Sequence, residues 1–317
     1  MGDSAIARPE NIMRGVALII AAALTISLQD VVFKIFSSEL SLWQIFALRG
    51  ILAIPLLMVV LWMRGAHRGV VHMALQKWPL LRAVFITTTF LAFYAAIPFL
   101  SLSTVGAANY IAPIFVALLS AYAIREPVGL LGWLGVLLGF AGVVVLLRPG
   151  TDAFSLWSIL PIIGAAFYAL AHITTRVKCQ DTPLPAISLA QNIVMMSAGV
   201  LVSILLIWAP SDAEFVRDYP YIFGIWSDVA LMDGLILVIL AGFTILISVL
   251  LAAAYQAAPP AIISTFEYSY LVFVAIWDTL FFGITPTFTS VTGMALIVIA
   301  GLLVLRRGKA KAAKFRR

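Results

Sequence analysis

Charge is what this sequence has least of. Of 317 residues only 11% are Asp, Glu, Lys or Arg and 63% are hydrophobic, against about 25% and about 45–50% in soluble domains. So little charge cannot cover a water-facing surface, which excludes a soluble globular protein and leaves lipid as the solvent. One cysteine, Cys179, excludes an intrachain disulfide framework and a cysteine-built zinc site. HExxH, GxSxG and Walker-type phosphate motifs are missing as well, so no metal, cofactor or ATP drive is expected. The formal net charge of +6 does not point to nucleic acid, because basic ends beside membrane spans set orientation and meet anionic lipid.

What is present is apolar sequence cut at charged or Pro/Gly-bearing joints into ten pieces of about 20 residues, the length that crosses a bilayer as a helix. They run 15–36, 42–63, 83–102, 104–124, 128–147, 156–175, 187–208, 234–255, 261–282 and 287–305. With the N-terminus inside, Arg14, Arg64, Arg68, Lys77, Arg82, Arg125, Arg176, Lys178 and the basic tail from Arg306 onward fall on one side. Only Arg148 and Arg217 fall on the other, so the positive-inside rule places both termini in the cytoplasm. Trp43, Trp62, Trp157, Trp208 and Trp277 stand near span ends, where indoles anchor at the headgroups. The expected fold is all-α and integral to a bacterial inner membrane, entered N-in and left C-in.

The two halves of the chain can be laid over each other. IIAAALTISLQ (19–29) matches IIGAAFYALAH (162–172), and GVLLGFAGVVVLLR (135–148) matches GMALIVIAGLLVLR (293–306). Five spans per half is an odd number, so the halves 1–150 and 151–317 enter the membrane from opposite sides as inverted five-helix repeats. With these halves, AANYIAPIFVALLSAYAIREP in the fourth span, PPAIISTFEYSYLVFVAIWDTLFFGITP in the ninth and a Gly-rich span after each, the chain resembles the EamA-type members of the drug/metabolite transporter superfamily. In that family the fourth and ninth spans close with a Gly-Glu-like pair; Glu126 fits in the first half, whereas Ile284 or Thr285 stands there in the second. The resemblance implies a ten-helix secondary transporter of small organic metabolites, most like the aromatic amino-acid exporters.

Polar residues at membrane depth are few, and each needs a partner, a water-filled cavity or a function, since a central charge costs about 2.5–3.5 kcal/mol on insertion scales. Glu267 lies about 10 Å into the ninth span at about 1.5 Å per residue, and Asp278, eleven residues on, returns to nearly the same face. Glu267 suits a solute ammonium or a proton, with a structural carboxylate as the alternative; Tyr270 flanks it. Asp30 and Lys34 form an i, i+4 pair that Arg49 can complete, as a site for a solute carboxylate or as a self-neutralised latch. The repeat pairs Gln29 with His172, which suits opposite walls of one cavity. Asn109 stands where Pro113 interrupts the fourth span, and Tyr94 in the third can stack on an aromatic solute.

These residues predict a secondary carrier that exports amphipathic metabolites, amino acids including aromatic ones, by rocking around a cavity formed by spans 1, 3, 4, 6 and 9. Its partners are a small-molecule solute and membrane lipid, as a monomer or homodimer. A membrane-embedded enzyme acting on lipid or prenyl substrates is the alternative, though such chemistry needs a cluster of acids or His at one interface. A passive channel is the other, though no span carries a repeated polar lining.

Overall fold

The structure is a computed structural model and describes residues 11–35, 40–96, 99–100, 102–126, 128–150, 155–208, 219–283 and 285–315. Within them there are helices and no strand. Nine spans are long and apolar enough to cross a membrane: Ile12–Val32, Leu42–Met63, Lys77–Ala96, Thr104–Tyr122, Gly129–Leu147, Leu156–Lys178, Leu184–Ile207, Leu231–Ala257 and Pro260–Phe282. A further helix, Phe288–Phe315, occupies the tenth position; its described apolar part, Phe288–Val304, is shorter.

Two spans are built in pieces. The fourth consists of Leu102–Asn109 and Ala112–Tyr122. Its first piece stops four residues before Pro113, whose ring clashes with the carbonyl at that distance and which donates no amide hydrogen. The ninth consists of Pro260–Glu267 and Ser269–Phe282. Here Ser269 Oγ donates to the Phe266 carbonyl at 2.6 Å, competing with the backbone ladder, and Tyr268 takes the joint. Glu267 is therefore the last residue of a half-helix, and Asp278 lies on the other piece.

The spans pair in a pattern consistent with inverted repeats. The second packs on the seventh and the fifth on the tenth, each with its own counterpart in the other half, while the pairs third–sixth and eighth–first exchange under the same two-fold. Small residues allow the approach. A Cβ on Gly139 would lie 2.4 Å from the Tyr268 ring, and one on Gly142 would lie 2.8 Å from the Gly293 carbonyl oxygen. The glycine stripe of the fifth span is thus used inside the chain, while Leu130, Leu134 and Leu137 of the same helix are exposed toward lipid.

Two sequence expectations change. The third span begins at Lys77 rather than 83, which carries Arg82 out of its expected loop and into the helix, where it is fully buried. Of the expected anchors, Trp62 and Trp208 are exposed, but Trp43 Nε1 donates to the Ile222 carbonyl at 2.6 Å and Trp277 Nε1 to Ser27 Oγ at 2.9 Å. The described stretch before the eighth span is tied down: Gln44 bonds the Ser227 carbonyl at 2.7 Å, and Trp226 bonds Ser203 Oγ at 2.7 Å. A short helix, Pro220–Phe223, caps this end, and burial pushes the Tyr221 phenol well above its ordinary pKa.

Candidate functional site

Glu267 is the centre of a polar cluster drawn from three spans. Its Oε1 accepts from the Tyr168 hydroxyl of the sixth span at 2.9 Å and from the Tyr255 hydroxyl of the eighth at 2.8 Å. Glu267 is half-buried. Beside it His172 is 0% exposed, its ring 4.2 Å from that of Tyr168 and 4.1 Å from that of Tyr255, the latter pair stacked. Neither ring nitrogen of His172 has a hydrogen-bond partner among the described residues. Tyr168 and His172 are one helical turn apart, so they share a face of the sixth span.

A second cluster joins the first, second, eighth and ninth spans. Tyr270 donates to Asp30 Oδ2 at 2.5 Å. Arg49 donates through one nitrogen to Gln29 Oε1 at 3.0 Å and to Thr244 Oγ1. Asp30 is exposed, whereas Gln29 and Arg49 are half-buried. Gln29 and His172 thus belong to different clusters. Tyr94 meets Phe46 and Phe93 edge-on, at 6.0 and 5.5 Å between ring centroids, and Tyr221 at 6.3 Å. Tyr110, at the break of the fourth span, lies 6.0 Å from Tyr268, the residue after Glu267, and 6.1 Å from Tyr270. Asn109 is half-buried at that break, and Asp278 is half-buried nearer the end of its piece. The side chain of Lys34 lies outside the described residues.

The geometry stands beside a clear match. Residues 13–148 match the model of the EamA-like transporter family. This half of the chain is similar to an EamA-like unit. A riboflavin transporter of Brucella anthropi is 25% identical over 64% of this chain and 67% of that protein. The pseudopaline exporter CntI of Pseudomonas aeruginosa is 27% identical over 93% of this chain and 97% of that protein. A crystal structure of a protein that is 16% identical has the same fold, with a TM-score of 0.75 over 93% of this chain and 98% of that one. The matched family and both of these relatives are named for transport. Among the described residues no group of three or more His, Cys, Asp or Glu is placed to hold a metal ion.

The first half of the chain and the second meet at one end in a polar seal. Arg176 Nε lies 2.9 Å from Glu126 Oε1, joining the close of the fourth span to that of the sixth. Gln180 bonds the Gln256 carbonyl at 2.7 Å, and Gln256 Nε2 bonds the carbonyls of Cys179 and Thr182 at 2.6 and 3.0 Å. At the same end Asn11 N donates to the Ala257 carbonyl at 3.0 Å.

Sequence reasoning missed three members of these clusters, together with the burial of Arg82. Tyr168 was within its reach, because it stands one turn before His172 on the same face. Tyr255 and Thr244 lie in a span whose run of apolar residues hides them, and Arg82 looked like one more loop cation.

Proposed function

We propose that the chain is a secondary carrier, independent of ATP, that exports small amphipathic metabolites by alternating access, with amino acids, aromatic ones included, foremost. In this reading it spans a bacterial inner membrane with both termini in the cytoplasm, and the halves 1–150 and 151–317 rock against each other. The observation that carries it is the place of Glu267: it ends a half-helix of the ninth span, and Tyr168 and Tyr255 share one of its oxygens from two other spans. A carboxylate so placed meets a solute ammonium or a proton while the spans around it shift.

The state of the chain supports this reading. The seal of Glu126, Arg176, Gln180 and Gln256 closes the end that the positive-inside rule makes cytoplasmic. Asp30, toward the other end, is exposed, and a carboxylate at such depth is tolerated when it faces a water-filled space. The aromatic walls around Tyr94 and Tyr110 suit apolar and ring-bearing solutes, held by few polar groups. Relatives named for riboflavin and for pseudopaline extend the panel of solutes worth testing.

Reconstitution in liposomes tests it. Saturable uptake with trans-stimulation marks a carrier, linear flow a pore, and chemical change of the solute an enzyme. Glu267→Gln is expected to lower uptake by about tenfold or more with unfolding in detergent little changed; wild-type flux in that variant removes Glu267 from the mechanism.

A further inference from the structure

Arg82 is a guanidinium held in the interior with no carboxylate bonded to it among the described residues. It is 0% exposed. Its Nε donates to Thr175 Oγ1 of the sixth span at 3.1 Å, and one terminal nitrogen donates to Gln191 Oε1 of the seventh at 2.8 Å. The other terminal nitrogen is buried with no partner among the described residues. Among the described residues Cys179, Tyr168 and His172 are the ionisable groups within electrostatic reach of its charge, and a thiol, a phenol and an imidazole supply no anion at neutral pH. A cation enclosed in this way is costly. Two neutral side chains would brace three helices without that cost. What a guanidinium adds is a charged fork with a donor to spare, a group that recognises carboxylate and phosphate.

Its position gives the spare donor a use. Thr175 precedes Arg176, whose ion pair with Glu126 seals this end, so Arg82 lies directly beneath the seal. Tyr168, His172 and Thr175 follow one another at helical spacing on one face of the sixth span. They form a polar stripe from Arg82 to Glu267, about 10 Å long at about 1.5 Å per residue, and along it His172 keeps both ring nitrogens without partners among the described residues. We propose that Arg82 is an anion-binding subsite of the carrier. When the sealed end opens and the sixth span parts from the third, its donors take the carboxylate or phosphate of an entering solute, which then moves along the stripe toward Glu267. This rests on the carrier reading above.

The test uses full-length protein in liposomes and two pairs of probes that differ in their anion: phenylalanine with phenylalaninamide, and riboflavin 5′-phosphate with riboflavin. Wild type is expected to show a KM about tenfold lower for the anionic member of whichever pair it carries. Arg82→Met should abolish that preference by raising the KM of the anionic member, with kcat and the KM of its partner little changed, and Arg82→Lys should keep part of it. Preference within the first pair alone assigns a carboxylate, and within the second alone a phosphate. Equal KM values within each carried pair in the wild type, or a preference that survives in Arg82→Met, overturns the inference and leaves the carrier reading standing. Should Arg82→Met fail to fold, the wild-type comparison and Arg82→Lys decide. Flux of none of the four probes overturns both.

Discussion

Glu267 is held in place by two tyrosine hydroxyls rather than by a cation, and that choice leaves its charge available. Tyr255→Phe removes a 2.8 Å bond from a carboxylate and is expected to cost about 1.5–3 kcal/mol of stability, read by unfolding in detergent, and to lower flux. Tyr168→Phe acts in the same direction through its 2.9 Å bond. In a Glu267→Gln background either change should cost much less flux, since residues acting through one partner are not additive; additive losses would show that the tyrosines act elsewhere. Glu267 and His172 are visible in the sequence because a polar residue in an apolar run is conspicuous. Their partner Tyr255 is not, because the contact between the eighth and sixth spans has no local signature.

Helix breaks and small residues set the geometry of the elements. Pro113 announces the break of the fourth span, whereas the joint at Tyr268 follows from a serine back-bond and a buried ring that no residue pattern declares. The ring of Tyr268 occupies the space that Gly139 leaves, so Gly139→Ala is expected to destabilise by about 1–3 kcal/mol through overpacking. Gly242→Ala is the control: it lies in the eighth span, a Cβ there meets nothing within 4 Å, and alanine is the better helix former. Equal melting temperatures for the two variants in detergent would contradict the packing of the fifth span on the ninth.

At the scale of the whole molecule, the proposed alternating access requires the sealed end to open. The Glu126–Arg176 pair belongs to that seal, and Cys179, the chain's single cysteine, is buried beside it, where burial also raises its thiol pKa. Glu126→Gln should therefore speed alkylation of Cys179 by a membrane-permeant maleimide several-fold, and a transported solute should change that rate in the wild type. An unchanged rate in the variant would show that the pair does not hold this end closed. In that proposal the two openings are equivalent, because the third–sixth and eighth–first pairs occupy matching places.

Composition and spacing by themselves determined the solvent, the helical class and the inventory of polar residues, because a bilayer leaves an apolar run of about 20 residues one stable form. The sequence also carried the orientation that its basic residues predict. Tertiary structure alone decided which polar groups meet: Arg49 with Gln29 and Thr244, Tyr270 with Asp30, Glu267 with two tyrosines, and Arg82 inside rather than at the surface. The physical reason is range. Hydrophobicity acts on each segment separately, but a hydrogen bond between spans depends on the rotation and approach of helices distant in the chain, and packing fixes both.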